Sequence, residues 1–329
     1  MPQINGQEVG PLGYGMMGLT WRETPPPEEQ AFAAMRAALD AGMNFFNGGE
    51  IYGTPEYNSL VLLERYLARH PGDAERIVLS VKGGCKDGLV PDGSAAGIRR
   101  SVDNCLRQLG GRKARIDIFE CARRDVKTPL AETFGTLQRE YVDTGKVGGI
   151  SLSEVGAQTI REAVGIAKIV AVEVELSLWS TDVLTNGIAA ACAEHDIPLV
   201  AYSPIGRGML TGQFKTLQDI PQGDLRRHMP RFQPGNFEVN LQLVEQVERL
   251  AEKKGCTPAQ LAINWVRCLS RRPGMPTIIP IPGATTAERV RENSKIIDLS
   301  DAEMHEIDET LARFEVKGGR YPDGAPTNS

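Results

Sequence analysis

Apolar residues come along this chain in short continuous runs, separated by longer stretches in which they recur every three or four positions. The runs fall at residues 12–17, 44–47, 77–82, 116–121, 148–152, 171–176, 198–203 and 277–282. Uninterrupted runs of this length predict parallel strands buried on both faces. Between them the spacing turns helical: Ala31, Met35, Ala38 and Leu39 mark one buried stripe, and Ile98, Val102, Cys105, Leu106 and Leu109 another. Helix starts carry their own chemistry. Thr257-Pro258-Ala259-Gln260 and Thr285-Thr286-Ala287-Glu288 both read as capping boxes, the first with proline at the opening helical position, and Ser300-Asp301-Ala302-Glu303 opens a last helix. Eight strands alternating with helices predict one (β/α)8 TIM barrel domain over residues 1–329.

Two segments qualify this reading. Gly13-Tyr14-Gly15-Met16-Met17-Gly18 has the glycine spacing of the phosphate fingerprint in open, doubly wound sheets, the competing fold. Residues 19–27 then read as a loop rather than a helix, and the second strand ends in Asn47 rather than an acidic residue. These glycines therefore predict a close backbone approach beneath the site. From Pro204 to about Asn240 the apolar period is lost among glycines, prolines and charges. A segment of that length following the seventh strand predicts a functional loop on the catalytic face, a belt over a bound cofactor; a plain surface loop is the alternative.

Composition narrows the function. The chain has 329 residues, 41% hydrophobic and 24% charged, with a formal net charge of −5. No basic surface points to nucleic acid or to an anionic membrane. No apolar run approaches the roughly 20 residues that span a bilayer, and the start Met1-Pro2-Gln3-Ile4 has no signal-peptide character. Cys85, Cys105, Cys121, Cys192, Cys256 and Cys268 are scattered, and His70, His195, His228 and His305 lack ligand spacing, so reduced thiols in a cytoplasmic protein and no metal site are expected.

The chemistry collects at strand ends. Phe46-Asn47-Gly48-Gly49-Glu50-Ile51-Tyr52 leaves the second strand and Ser80-Val81-Lys82-Gly83 ends the third, so Tyr52 and Lys82 are expected at one rim. A phenol beside an ammonium is expected to have a lowered pKa and to protonate the alkoxide formed when a carbonyl accepts hydride. The eighth strand runs into Pro282-Gly283-Ala284-Thr285-Thr286 and a helix start, a phosphate site of the kind common in barrels, with Arg289 one turn in and Glu292 and Asn293 beyond it.

With these residues assembled, the chain resembles the aldo-keto reductases over nearly its whole length, and most closely the fungal pyridoxal reductases. Phe46-Asn47-Gly48-Gly49-Glu50, Ser80-Val81-Lys82-Gly83, Ala171-Val172-Glu173-Val174-Glu175, Ala201-Tyr202-Ser203-Pro204, Pro280-Ile281-Pro282-Gly283-Ala284-Thr285 and Glu315-Val316-Lys317-Gly318-Gly319-Arg320-Tyr321-Pro322 carry the likeness. It implies Tyr52 as proton donor and Lys82 as its activator. The family's aspartate is Asn47 here, able to bond Lys82 but not to balance its charge. The family's histidine is Ala122, which leaves Arg123 as a candidate donor to the carbonyl. The resemblance further implies that Ser153, Glu154 and Glu173 grip a nicotinamide carboxamide, where the family has asparagine and glutamine at the latter two. Tyr202, Ser203, Pro204, Gly206, Gly208 and Leu210 would cradle the pyrophosphate, and Gly283, Thr285, Arg289, Glu292 and Asn293 the adenosine end. Arg289 favours NADPH over NADH, because a guanidinium rewards the 2′-phosphate. Trp21, Tyr52 and Trp179 are the candidate substrate walls. The implied activity is reduction of pyridoxal to pyridoxine. The alternatives are reduction of another aldehyde, or a nicotinamide-binding regulatory subunit with slow turnover.

Overall fold

The computed structural model describes residues 1–86, 89–322, 324 and 327. Eight parallel strands appear where the apolar runs lie: β1 (Tyr14–Gly15), β2 (Phe45–Gly49), β3 (Val78–Gly83), β4 (Ile118–Cys121), β5 (Ile150–Ser153), β6 (Ile169–Glu175), β7 (Leu199–Tyr202) and β8 (Ile278–Pro280). They pair in chain order, and the sheet closes on itself where Gly15 bridges Gly283 in parallel. Gly13 N–H donates to the Pro280 carbonyl at 2.9 Å across the same seam. A Cβ at Gly283 would stand 3.0 Å from the Gly15 carbonyl, and one at Gly15 would stand 3.0 Å from that of Ile281. The fingerprint-like glycines therefore serve barrel closure.

Alternation along each strand separates two cores. Outward-facing Leu79, Val81, Phe119, Leu152, Val172 and Val174 join Met35, Leu63 and Val102 of the surrounding helices in the larger cluster. Inward, Phe45, Val78, Ile118, Val170, Val200 and Ile279 fill the lower half of the barrel. A hairpin of Gln3–Ile4 and Gln7–Glu8 plugs the bottom, its Asn5-Gly6 turn left-handed at both residues (φ 51° and 74°). One step further along the strands the inward positions become polar: Asn47, Lys82, Glu120, Ser151 and Glu173 are all buried. The site therefore stands on an apolar floor at the C-terminal end of the barrel.

Several sequence readings need adjustment. A single helical turn, Met17–Thr20, interrupts the expected 19–27 loop. The segment after β7 is a chain of short turns (Gly206–Thr211, Leu217–Asp219, Leu225–His228, Pro230–Phe232), and the helix Asn236–Lys254 begins before Asn240. The Thr285 capping box does not form. Thr286 is the cap, accepting from Arg289 N–H at 3.3 Å, and the helix Ala287–Asn293 starts one residue later than expected. The Thr257 box forms as read, and the last helix opens at Ser300 as expected, with a capping box of its own. Among the described residues no helix is long and apolar enough to cross a membrane.

Thr257→Ala removes one of these caps and should lower stability by about 1 kcal/mol. The expected reading is a lower urea midpoint with an unchanged m-value; an unchanged midpoint would show that the cap contributes nothing.

Candidate active site

Lys82 is extended backbone on β3, opposite Glu120 of β4 in the strand register. Its ammonium lies 2.8 Å from Glu120 Oε1 and also contacts Glu173 Oε1, reached from β6. Asn47 Nδ2 donates to Glu173 Oε2 at 2.7 Å, and Ser151 Oγ donates to Glu120 Oε2 at 3.0 Å. One cation thus faces two carboxylates in a space closed to water. Burial alone would push the Lys82 proton off, but Glu120 and Glu173 outweigh it and hold the ammonium above its ordinary pKa. Burial, and then the charge of Glu120, push Glu173 well above the carboxylate range, because the single ammonium offsets only one negative charge. Glu173 is thereby held toward its neutral form beside the ammonium.

Asn47 was expected to bond Lys82; it bonds Glu173 instead. Measured against the resemblance, acid and amide have changed places across one hydrogen bond: amide at 47, carboxylate at 173. The negative charge beside Lys82 comes from β6 and β4 rather than β2. Glu173 is accordingly engaged by Lys82 and Asn47, which takes it out of the expected carboxamide grip.

Tyr52 hangs from the turn after β2, where Glu50 N–H donates to the Lys82 carbonyl at 3.1 Å and Thr20 Oγ1 donates to the Tyr52 carbonyl at 2.5 Å. Trp21 stacks on its ring, centroids 5.7 Å apart at 26°, in the place expected of a pocket wall. The expected lowering of its pKa does not hold. Burial raises the phenol well above its ordinary value, and Lys82 draws it back only in part, its charge being already met by Glu120 and Glu173. Trp179 is buried, edge-on to Phe232 at 5.8 Å and beneath Gly206, so it supports the loop after β7 from within the core.

Beside Tyr52 the rim is crowded by carboxylates, guanidinium groups and phenols. Glu154, left-handed at φ 52°, accepts from Arg320 Nη2 at 3.0 Å, Arg320 Nη1 at 3.1 Å, the Tyr202 hydroxyl at 2.9 Å and Glu175 N–H at 3.0 Å. Burial opposes its charge, yet Arg320 holds the carboxyl below its ordinary pKa. Glu154 is thus committed to the C-terminal segment, not free for a carboxamide. The Tyr202 and Tyr321 hydroxyls lie 2.7 Å apart, and the guanidinium carbons of Arg123, Arg207 and Arg320 stand 5.5, 4.8 and 5.8 Å from the Tyr321 ring centre. Ala122 is buried as a bare methyl, and Arg123 Nη1 donates to the Ala122 carbonyl at 2.6 Å. Glu120 and Glu175 had a signal, acidic residues inside apolar runs. Arg320 and Tyr321 had none as site members, because only the return of a segment beyond the last helix brings them here; Arg207, between the expected cradle residues Gly206 and Gly208, went unread.

The remaining rim forms a groove wall. Ser153 Oγ is buried without a hydrogen-bond partner among the described residues. Ser203 (φ 51°) and the run Gly206, Arg207, Gly208 (φ 56°, 56° and 92°) are left-handed and fold the chain after β7 back on itself over buried Pro204 and Leu210. Arg289 is exposed and donates to Gln213 Oε1 at 3.0 Å, tying that loop to the helix Ala287–Asn293. Gly283 is exposed, Thr285 and Glu292 are half-buried, and Asn293 is buried.

The raised Glu173 pKa has a signed consequence. A carboxyl raised by folding contributes stability that is fully present below its unfolded pKa of about 4.3 and is lost as pH rises through the folded value. Wild-type stability should therefore fall as pH rises above the ordinary carboxylate range, and Glu173→Gln, which cannot ionise, should flatten that slope. Parallel stability–pH curves from chemical denaturation would exclude a raised Glu173 pKa.

Comparison with known proteins agrees with this geometry. The Aldo/keto reductase family model matches residues 11–312. A Schizosaccharomyces pombe protein named "Probable pyridoxal reductase 2" is 40% identical, over 98% of this chain and 97% of its own. A Saccharomyces cerevisiae protein with a provisional pyridoxal reductase name is 39% identical over 94% and 95%. A solved glycerol dehydrogenase from Gluconobacter oxydans superposes with a TM-score of 0.83 at 25% identity, covering 96% of both chains. With its closed barrel, its Tyr52–Lys82 rim and relatives matched end to end, the chain belongs to the aldo/keto reductase family of oxidoreductases.

Proposed function

We propose that this oxidoreductase uses NADPH to reduce the aldehyde of pyridoxal, giving pyridoxine, with Tyr52 as proton donor. The observation that carries the reading is the buried Tyr52 phenol at the rim beside Lys82. In the reducing direction the donor must hold its proton at rest, and burial ensures this across the physiological range. The bound dinucleotide supplies the hydride to the carbonyl carbon. As the carbonyl π electrons move to oxygen, the Tyr52 O–H bond breaks and its proton goes to that oxygen. The phenolate left behind faces the Lys82 ammonium, which lowers the energy of that charge in a dry site.

The rim fits the cofactor. The unpartnered Ser153 hydroxyl offers a donor and acceptor for an amide. The left-handed glycine turns after β7 would let backbone come close to a pyrophosphate, and the exposed Arg289 would meet a 2′-phosphate by leaving its bond to Gln213. With a helix of only seven residues behind it, the guanidinium rather than the helix dipole carries that preference. An aldo-keto reductase of S. pombe whose name carries NADP(+) is 34% identical over 98% of this chain. Pyridoxal suits a site whose Ala122 offers no donor, since its electron-poor ring makes the aldehyde carbon more electrophilic.

Tyr52→Phe should reduce single-turnover hydride transfer on the order of 10²–10⁴-fold while NADPH affinity changes little. Retention of more than about half the wild-type rate would remove Tyr52 from the role. A panel of aldehydes including pyridoxal, titrated with NADPH, separates this enzyme from a reductase of another aldehyde and from a slow regulatory subunit.

Arg289→Ala should weaken NADPH about ten- to a hundred-fold, the worth of one charge-assisted bond, and NADH far less. Fluorescence titration of both cofactors decides it. An equal loss for both would mean that Arg289 acts only through its Gln213 contact.

A further inference from the structure

Three guanidinium groups and two carboxylates meet at the rim around Tyr321. Glu154 is filled by Arg320, the Tyr202 hydroxyl and Glu175 N–H. Glu175 accepts from Arg207 and Arg320, each at 3.4 Å, and from Ser180 Oγ at 3.1 Å. Arg231, further out, donates to Ser180 Oγ at 2.8 Å and to the Gly318 carbonyl at 3.2 Å, and feels Asp182 as well as Glu175. Arg123 has no carboxylate of its own. Among the described residues it forms no salt bridge: it donates to the Ala122 carbonyl at 2.6 Å and hydrogen-bonds Tyr321, while Glu154, whose charge also acts on it, is bound by Arg320. A half-buried guanidinium whose direct partners are a carbonyl and a phenol still has its fork free of any carboxylate, and that planar fork suits a carboxylate or phenolate.

Position gives this charge a purpose. Arg123 follows Ala122 at the end of β4, and its guanidinium covers the Tyr321 ring. Tyr321 in turn lies near enough to Tyr52 for a charge on one to act on the other. Tyr321 is held in place by the Tyr202 hydroxyl, by Arg320 anchored on Glu154, and by Asn240, which donates to the Lys317 carbonyl at 2.9 Å. An aromatic wall, a guanidinium without a carboxylate partner and the reacting phenol thus share one corner.

We propose that Arg123 and Tyr321 form a subsite for an anionic oxygen on the substrate, a phenolate or carboxylate carried by the ring that bears the aldehyde. The proposal rests on the aldehyde-reductase reading and sharpens it: the preferred substrate is an anionic aromatic aldehyde, bound through Arg123 with its ring against Tyr321. Pyridoxal, with its ionisable phenol, belongs to this class.

The test compares carboxybenzaldehydes with their methyl esters, and salicylaldehyde with its methyl ether, in the full-length protein with NADPH. The wild type should favour the anionic member at least ten-fold in kcat/KM. Arg123→Gln should erase that preference mainly through KM, and Arg123→Lys, which keeps the charge but not the fork, should retain part of it. A wild type without preference, or an equal loss for charged and neutral partners, overturns the subsite. A binding arm stands apart from turnover: benzoate should quench tryptophan fluorescence of the NADPH-loaded protein at lower concentration than benzamide, and Arg123→Gln should abolish the difference. Benzoate selectivity without reduction of any aldehyde would sink the reductase reading and leave the anion subsite standing; reduction without benzoate selectivity would do the reverse.

Discussion

Everything at the mouth of this barrel depends on one ammonium held between two carboxylates. Lys82, Glu120 and Glu173 come from three strands and are buried above an apolar floor. Breaking a buried pair by deleting one partner typically costs about 3–5 kcal/mol. The strands cannot slide relative to one another without breaking the contact. Because alternate residues face inward, a slip of one residue would also exchange this polar layer for the helix-facing core. The chemistry and the strand register are therefore fixed by the same three side chains.

The same trio explains how a site with an amide in place of an acid keeps its electrostatics. Asn47 and Glu173 share a hydrogen bond in which the charge lies on the β6 side. Lys82 is held as an ammonium, and burial keeps the phenol beside it protonated. Ala122, where the resemblance would place a histidine, is a different matter. A methyl offers no donor, and the rim around it has been rebuilt from arginines and the C-terminal Tyr321 rather than repaired in place.

The eight strands were legible in the sequence because each is a short apolar run, and the Thr257 and Ser300 helix starts were legible because their capping chemistry is local. Tyr52 and Lys82 were legible for the same reason: each follows directly from the end of a strand. What failed was non-local. The Tyr52 pKa is set by burial that no neighbouring residue encodes, and the partner of Asn47 is a glutamate four strands away around the sheet. The roles of Glu154 and Arg123 were hidden because their neighbours, Arg320 and Tyr321, arrive from a segment beyond the last helix. The turns between Pro204 and Asn240 escaped a periodic reading because each is too short to show a period.

The glycine seam between β1 and β8 has a consequence in time. Gly15 and Gly283 lie near opposite ends of the chain, yet only their meeting shuts the barrel. A ribosome releases the first six strands, and with them Lys82, Glu120 and Glu173, long before it releases the eighth. Until then the nascent sheet is an open trough, and its charged layer is wet. Contacts of such sequence separation form slowly, so expulsion of water from the ion trio, and with it the finished electrostatics of the rim, belongs to the last act of folding rather than to the assembly of the strands that supply it.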